Sequence, residues 1–386
     1  MEESANLREV REAVGAICRR FGLDYWRERD RTGTFPEDFV KAFAEGGWLG
    51  IAMPPEFGGA GLGITEAASM MQVIARSGAG FSGASALHIN IFGLQPVVVF
   101  GTKEQQRRML VPLIEGRERA CFGVTEPDAG LDTLSLRTRA VREGDHYVVH
   151  GQKVWTSTAQ EADKMLLLAR TTPIEQCRDR TKGLSLFYCD FDRKTIQANR
   201  IEKMGRAAVD SNAVFIDGLR IPEEDRIGEE GEGFRYLLHG LNPERILIGA
   251  EAVGLGQAAL ERAADYARER RVFGRPIGQN QGIQHPLAKC WMELEAANLM
   301  VFKAAALYDS GKPCGPEANA GKYLGAEAGY AACDRAVLTH GGFGYAKEYH
   351  VERFLRESMI ARIAPVSGEL ILCFIAEKVL NLPKSY

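Results

Sequence analysis

Four short stretches carry residue types that could bind an aromatic, phosphate-bearing ligand. The first, Cys121-Phe122-Gly123-Val124-Thr125-Glu126-Pro127-Asp128-Ala129-Gly130-Leu131-Asp132-Thr133, groups hydroxyls with glycines. Backbone amides and hydroxyls in such a turn can hold an anion or the polar edge of a ring. The same residues also suit an Asx-capped turn of a β domain. In the second, Trp155-Thr156-Ser157, an indole could stack on a cofactor while two hydroxyls bond its heteroatoms, or the Trp could anchor a core. In the third, Arg270, Arg271 and Arg275 surround Phe273, with Gln281 beyond. That grouping suits a phosphate plus a stacked base, and equally a cationic helix end complementing the dipole. The fourth, Gly341-Gly342-Phe343-Gly344-Tyr345, is by itself a loop.

Other chemistries lack their residues. There is no G-x-x-x-x-G-K-[ST], no G-x-S-x-G and no H-E-x-x-H. The seven histidines are dispersed, and His88 and His340 read as packed or surface residues. The eight cysteines show no C-x-x-C and read as reduced thiols, most of them in the core; no metal is expected.

Apolar spacing assigns the elements that must position these stretches. Residues 1–118 read as helix, for example over 7–20, 39–46 and 64–77, broken most densely by Pro and Gly at 53–63. Residues 119–228 read as strands at 137–142, 146–150, 164–170, 184–191 and 213–216. No helices alternate with them, so a small antiparallel barrel or sandwich is expected rather than a parallel dinucleotide-binding sheet. Residues 229–386 read as a helical bundle. Asn242-Pro243-Glu244 would open its first helix as N-cap, N1 and acidic first turn, and further helices are expected over 284–308, 316–338 and 368–380. The expected fold is mainly α with a central antiparallel β domain: helical bundle, β barrel or sandwich, four-helix bundle.

Composition is that of a globular chain, 45% hydrophobic and 26% charged. With 48 basic and 51 acidic residues the net charge is −3, which gives no electrostatic case for nucleic acid or an anionic membrane. Glycine, 42 residues, is over-represented against a usual ~7%, pointing to tight turns or close backbone approaches. The first residues do not resemble a secretory signal, no apolar run of about 18 residues is evident, and a cytoplasmic location is expected.

In this order the motifs resemble the acyl-CoA dehydrogenase family over nearly the whole chain. Gly47–Ile51 with Pro54–Leu62 is similar to its N-terminal GW-G-I…P…GG-GL segment, and Val124–Thr133 to V-T-E-P-x-A-G-S-D. Trp155-Thr156-Ser157 resembles W-[IT]-[TS], Tyr266–Gln281 resembles Y-x-x-x-R-x-x-F-G-x-x-I-x-x-x-Q, and Gly341–Tyr345 resembles GG-x-G-[YF]. The resemblance implies FAD, lined by Phe122, Val124, Thr125 and Gly130, covered by Trp155, and bonded by Thr156 and Ser157. Arg270, Phe273, Gln281, Gly341 and Gly342 would reach the FAD of a neighbouring subunit, which implies an oligomer, most often a homotetramer. Ser367 and Glu369 match the flavin-contacting end of the C-terminal segment.

Three positions depart from the pattern. Leu131 replaces the usual Ser, Leu338 replaces a Gln, and Pro365 stands where the I-Y-E-G-T-S-Q segment carries its catalytic Glu. Pro cannot accept a proton, so the resemblance moves the base to Glu244, before Arg245, as in the isovaleryl- and long-chain-specific members; Glu369 is the alternative. Arg245 and the helix dipole would hold Glu244 ionised. The implied reaction is α,β-dehydrogenation of an acyl-CoA thioester, with the β-hydride passing to flavin N5 and electrons on to an electron-transfer flavoprotein. Asn242, Arg245, Leu131, Pro365 and Val366 would meet the substrate, with the Val366 amide stabilising the enolate. The scaffold also serves flavin oxidases, monooxygenases and flavin-binding proteins of little turnover.

Overall fold

The computed structural model describes residues 5–385. Its first part is seven helices: α1 (Ala5–Cys18), α2 (Leu23–Thr32), α3 (Glu37–Glu45), α4 (Ile64–Ile74), α5 (Gly80–Phe92), α6 (Gln95–Phe100) and α7 (Lys103–Ile114). A capping box starts α7: Gln105 N–H donates to Thr102 Oγ1 at 3.2 Å, and Thr102 N–H donates to Gln105 Oε1 at 2.9 Å. Helices α4 and α5 meet at a π turn over Ala75–Ala79, where Gly78 has φ 99°. Eight strands follow: β1 (Ala120–Gly123), β2 (Arg139–Glu143), β3 (His146–Ser157), β4 (Lys164–Arg170), β5 (Leu184–Asp190), β6 (Ile196–Arg200), β7 (Ser211–Pro222) and β8 (Arg226–Ile227). They form one sheet in the order β6-β7-β3-β2-β4-β5-β8, with β1 beside β4. The sheet is antiparallel except where β1 and the end of β2 run parallel to β4. Strand β4, paired on both edges, is buried along nearly its whole length, which is why it reads as an unbroken apolar run.

The remaining elements are α8 (Gly233–Glu269), a short hairpin of β9 (Arg271–Val272) and β10 (Arg275–Pro276), then α9 (Gln281–Asp309), α10 (Gly315–His340), α11 (Val351–Ile363) and α12 (Gly368–Lys378). The sequence reading starts α8 at Asn242; the helix begins at Gly233, and Pro243 lies buried inside it. A mid-helix proline costs about 3 kcal/mol. Packing of Tyr236 and Leu237 into the core under β1, β4 and β5 outweighs it. Asn242 is therefore no N-cap, and Glu244 lies beyond the reach of the helix-start dipole. Helix α11 and strands β1 and β6 were not expected.

Two helical stretches, 64–100 and 351–378, are long and apolar enough to cross a membrane by length and composition, contrary to the reading above. The first is interrupted at the π turn and mostly buried in the core; the second breaks at 364–367 into α11 and α12.

Many of the glycines serve helix contacts rather than ligands. Along α8, a Cβ on Gly249 would stand 3.1 Å from the Gly321 carbonyl oxygen of α10, and one on Gly256 would stand 2.8 Å from Gly329 Cα. A Cβ on Gly254 would overlap the Gln72 carbonyl of α4. Gly254→Ala gains about 1 kcal/mol of helix propensity but forces two backbones apart, at about 1–3 kcal/mol or more. Urea unfolding should find Gly254→Ala less stable than the parent. Gly15→Ala, where the nearest foreign atom is the flexible end of Arg19 at 3.4 Å, should be slightly more stable.

Candidate active site

A buried ion pair builds the first motif. Lys153 Nζ, on β3, donates to Glu126 Oε1 at 2.9 Å and to the Val124 carbonyl at 3.0 Å. Glu126 also accepts the amides of Arg137 at 2.7 Å and Thr138 at 2.9 Å. Burial resists ionisation of both groups, and Lys153 falls to about 8; the ammonium and the two amides nevertheless hold Glu126 below the usual carboxylate range. This pair fixes the turn that presents Val124, Thr125 and Gly130. Val154 N–H donates to the Thr125 carbonyl at 2.9 Å, bringing the second motif alongside. There the β3–β7 register shifts between Lys153 and Thr156, and Trp155 takes φ 60° with its side chain 58% exposed. Thr156 Oγ1 is buried and has no protein partner. A bare indole beside an unpaired hydroxyl suits a flat heterocycle. Leu131 also has a positive φ, 64°, and is half exposed. No atom lies within 4 Å of a Cβ built on Gly130.

Glu244 faces α5. Gly240 lies against the Phe92 carbonyl and Glu251 reaches His88, so α5 runs along that side of α8. At ~100° per residue, Gly240, Glu244 and Glu251 fall within about 40° of one another. Phe92 in turn contacts Phe122, with ring centroids 5.8 Å apart, which joins this face to the first motif. Burial pushes the Glu244 carboxyl up to about 7, opposed by His88 and Arg245. The expectation of a carboxylate held ionised by Arg245 is thus corrected: Arg245 Nη1 donates to Asn242 Oδ1 at 3.1 Å instead of pairing with Glu244. His88 is packed, with Nδ1 bonded to Glu251 Oε1 at 2.6 Å. Burial opposes charge on His88, but Glu251 and Glu244 outweigh it and raise its pKa.

The segment containing Pro365 joins α11 to α12. Lys322 Nζ, buried on α10, donates to the Val366 carbonyl at 2.6 Å. Burial lowers Lys322 to about 8, with Glu244 and Glu369 both acting on it, so this turn and Glu244 share one neighbourhood. Ser367 caps α12 by accepting Leu370 N–H at 3.3 Å. Glu369 is exposed, and hydrogen bonds from its own amide and from Ser367 lower its pKa.

The other residues gather elsewhere. The Arg270 guanidinium lies 5.6 Å from the Phe343 ring centroid, bringing the third and fourth motifs together. Phe273 is fully exposed at φ 53°, Gln281 opens α9 at the surface, and Gly341 and Gly342 have open space around them. At ~1.5 Å per residue this group lies about 39 Å along α8 from Glu244.

Sequence reasoning missed the pairing of Glu126 with Lys153, the contact of Lys322 with Val366, the pairing of Glu251 with His88, and the bond from Arg206 Nη1 to Ser85 Oγ at 2.8 Å. Glu251 had a signal, a carboxylate within the apolar stripe of α8. Arg206, in the loop between β6 and β7, had none.

Three family descriptions match the chain: "Acyl-CoA dehydrogenase, N-terminal domain" over residues 4–117, "middle domain" over 121–219 and "C-terminal domain" over 231–380. The acyl-CoA dehydrogenase fadE12 of Mycobacterium bovis is 36% identical over 388 residues, covering 100% of this chain and 98% of its own. The caffeyl-CoA reductase–Etf complex subunit CarC of Acetobacterium woodii is 32% identical, covering 87% of this chain and 88% of its own. The glutaryl-coenzyme A dehydrogenase solved with glutaryl-CoA superposes with a TM-score of 0.94 at 30% identity, over 100% of this chain and 98% of that one. With every domain matched, and a desolvated carboxyl facing α5 and an exposed Trp beside an unpaired hydroxyl in keeping with it, the chain belongs to the acyl-CoA dehydrogenase family, oxidoreductases that act on CH–CH groups.

Proposed function

We propose that this protein dehydrogenates an acyl-CoA thioester between its α and β carbons, with Glu244 as the base. The carrying observation is the desolvated Glu244 carboxyl on the face of α8 toward α5, in a chain whose other candidate position is Pro365. A base with pKa near the working pH combines a large ionised fraction with strong proton affinity. Glu244 takes the α-proton onto a carboxylate oxygen. The Val366 amide hydrogen-bonds the thioester oxygen, where enolate charge develops. Lys322, bound to the carbonyl of the same residue, holds that amide in place. Arg245, with its guanidinium steadied by Asn242, meets the CoA portion. Leu131, half exposed near the first motif, and Pro365 line the substrate path. The unpaired Thr156 hydroxyl, the bare face of Trp155 and the open space at Gly130 fit FAD. FAD, when bound, supplies the hydride acceptor at N5. Phe122, Val124, Thr125, Thr156, Ser157, Ser367 and Glu369 hold or border it.

Arg270, Phe273, Gln281, Gly341 and Gly342 serve the cofactor of a neighbouring copy in a homotetramer. The separation of about 39 Å along α8 between Arg270 and Glu244 supports this. Electrons leave to an electron-transfer flavoprotein, consistent with the naming of CarC as a subunit of an Etf complex.

In Glu244→Gln, acyl-CoA binding should persist while anaerobic bleaching of the flavin by substrate slows by about 10² or more; near-normal bleaching there, with Glu369→Gln inactive, reverses the assignment. Because the free carboxyl sits near 7 and works deprotonated, kcat/KM for flavin reduction should rise with pH to a plateau above about 7 and fall below it. A limb near 4.5 would place Glu244 outside the reaction. Arg270→Ala should weaken FAD retention about ten- to hundredfold, the loss of one charge-assisted contact. Equilibrium dialysis of FAD, with light scattering for the tetramer, checks both; a monomer that keeps FAD tightly contradicts the shared site.

A further inference from the structure

Arg206 is a cation without a counter-ion. Its Nη1 donates to Ser85 Oγ on α5 at 2.8 Å, and Nη2 lies 3.5 Å from Ser157 Oγ and 3.5 Å from Ser211 Oγ. These are neutral hydroxyls. Three acids act on it from nearby, Glu357, Glu251 and Asp210, and each is engaged elsewhere. Glu357 takes Arg353 at 3.0 Å together with the Ser82 amide and hydroxyl. Glu251 takes His88, and Asp210 takes the Asn212 side chain. Among the described residues Arg206 forms no ion pair, although burial already disfavours its charge.

The loop that presents it is built with care. Arg206 itself is in the left-handed region at φ 56°, a conformation that costs a non-glycine residue energy. Lys203 Nζ clamps the Arg206 and Val209 carbonyls, each at 2.8 Å. Arg356 on α11 donates to the Met204 carbonyl at 3.1 Å, and Gly205 is pressed so close to α11 that a Cβ would stand 2.8 Å from the Arg356 carbonyl oxygen.

Through Ser85 the guanidinium is held against α5, the helix that faces Glu244. Ser85 and His88 are three residues apart on α5 and so share a face, with Phe92 one turn further toward Phe122. Across from them Glu251 shares the face of Glu244. Two polar atoms at this end are buried and unpaired, His88 Nε2 and Glu251 Oε2; the Glu251 side chain has no exposed surface. An alkyl chain would leave these two atoms unpaired and the Arg206 charge uncompensated, which penalises a buried polar site far more than a missing methylene does.

We infer that Arg206 and Ser85, backed by the His88–Glu251 pair, form an anion-binding end of the acyl pocket, selecting short acyl-CoA thioesters that end in a carboxylate over alkyl chains of equal length. The inference rests on the reading that places the acyl group between α5 and α8. Arg206 would clasp the carboxylate bidentately, and His88 Nε2, carrying a proton, would donate to it.

Glutaryl-CoA and pentanoyl-CoA, five-carbon chains differing only at the far end, provide the test. Binding to the FAD-loaded protein is read by equilibrium dialysis, which needs no turnover, and flavin bleaching is followed in parallel. Glutaryl-CoA should bind about ten- to hundredfold tighter, and Arg206→Met or, in a milder variant, Ser85→Ala should erase or reduce that ratio while leaving pentanoyl-CoA binding nearly unchanged. Equal binding of the two thioesters by the parent protein overturns the inference whatever the variants do. A ratio that survives Arg206→Met overturns it as well. If glutaryl-CoA binds more tightly yet no thioester bleaches the flavin, the proposed dehydrogenation fails and the anion-binding end stands.

Discussion

Close backbone contact along α8 is the constraint on which the rest of the structure depends. Helix α8 runs for 37 residues and is buried along much of its length against α4, α5, α9 and α10. Glycines allow this: where Gly256 meets Gly329, or Gly249 meets Gly321, one backbone lies directly on another with no side chain between them. Such contacts leave little room for rotation or sliding of α8. Its residues are thereby fixed relative to α5 and α10, so a carboxylate on one turn can face a neighbouring helix while Arg270 closes the far end.

Buried charge then separates scaffold from site. Two scaffold carboxylates are fully engaged. Glu126 gathers one ammonium and two amides, and Glu357 gathers a guanidinium, a hydroxyl and an amide. Arg353 also donates to the Gly78 carbonyl, at 2.6 Å, which ties α11 to the turn that launches α5. Around the candidate site four atoms are left short of partners: Thr156 Oγ1, His88 Nε2, Glu251 Oε2 and Arg245 Nε are buried without one. Each such atom costs stability in the folded chain, and a ligand that supplies the missing partner recovers it.

In the proposed reading, the proline at 365 and the desolvation of Glu244 belong together. A base on the α11–α12 turn would approach the substrate from that turn, whereas a base on α8 approaches from within the bundle. On α8 the Glu244 carboxyl lies where desolvation, more than a charged neighbour, sets its proton affinity. The turn with Pro365 is held by Lys322 through the Val366 carbonyl.

Sequence by itself determined what depends on local order. Period and punctuation gave helices, then strands, then helices, and strand β4 with both of its ends. The motif residues 122–133 and 155–157 lie side by side, as the family resemblance implied, and the same resemblance, with Pro365, directed attention to Glu244. Tertiary structure alone decided where α8 begins, because the packing of Tyr236 and Leu237 overrides a proline signal that is purely local. It alone decided the partners of the buried charges. Ser85 meets Arg206 across 121 residues of chain, His88 meets Glu251 across 163, and Ser82 meets Glu357 across 275. Nothing in the spacing of a sequence encodes such separations. An ion's pairing, and with it its proton affinity, depends on distance in space and on exclusion of water, and both arise only when the helices close around α8.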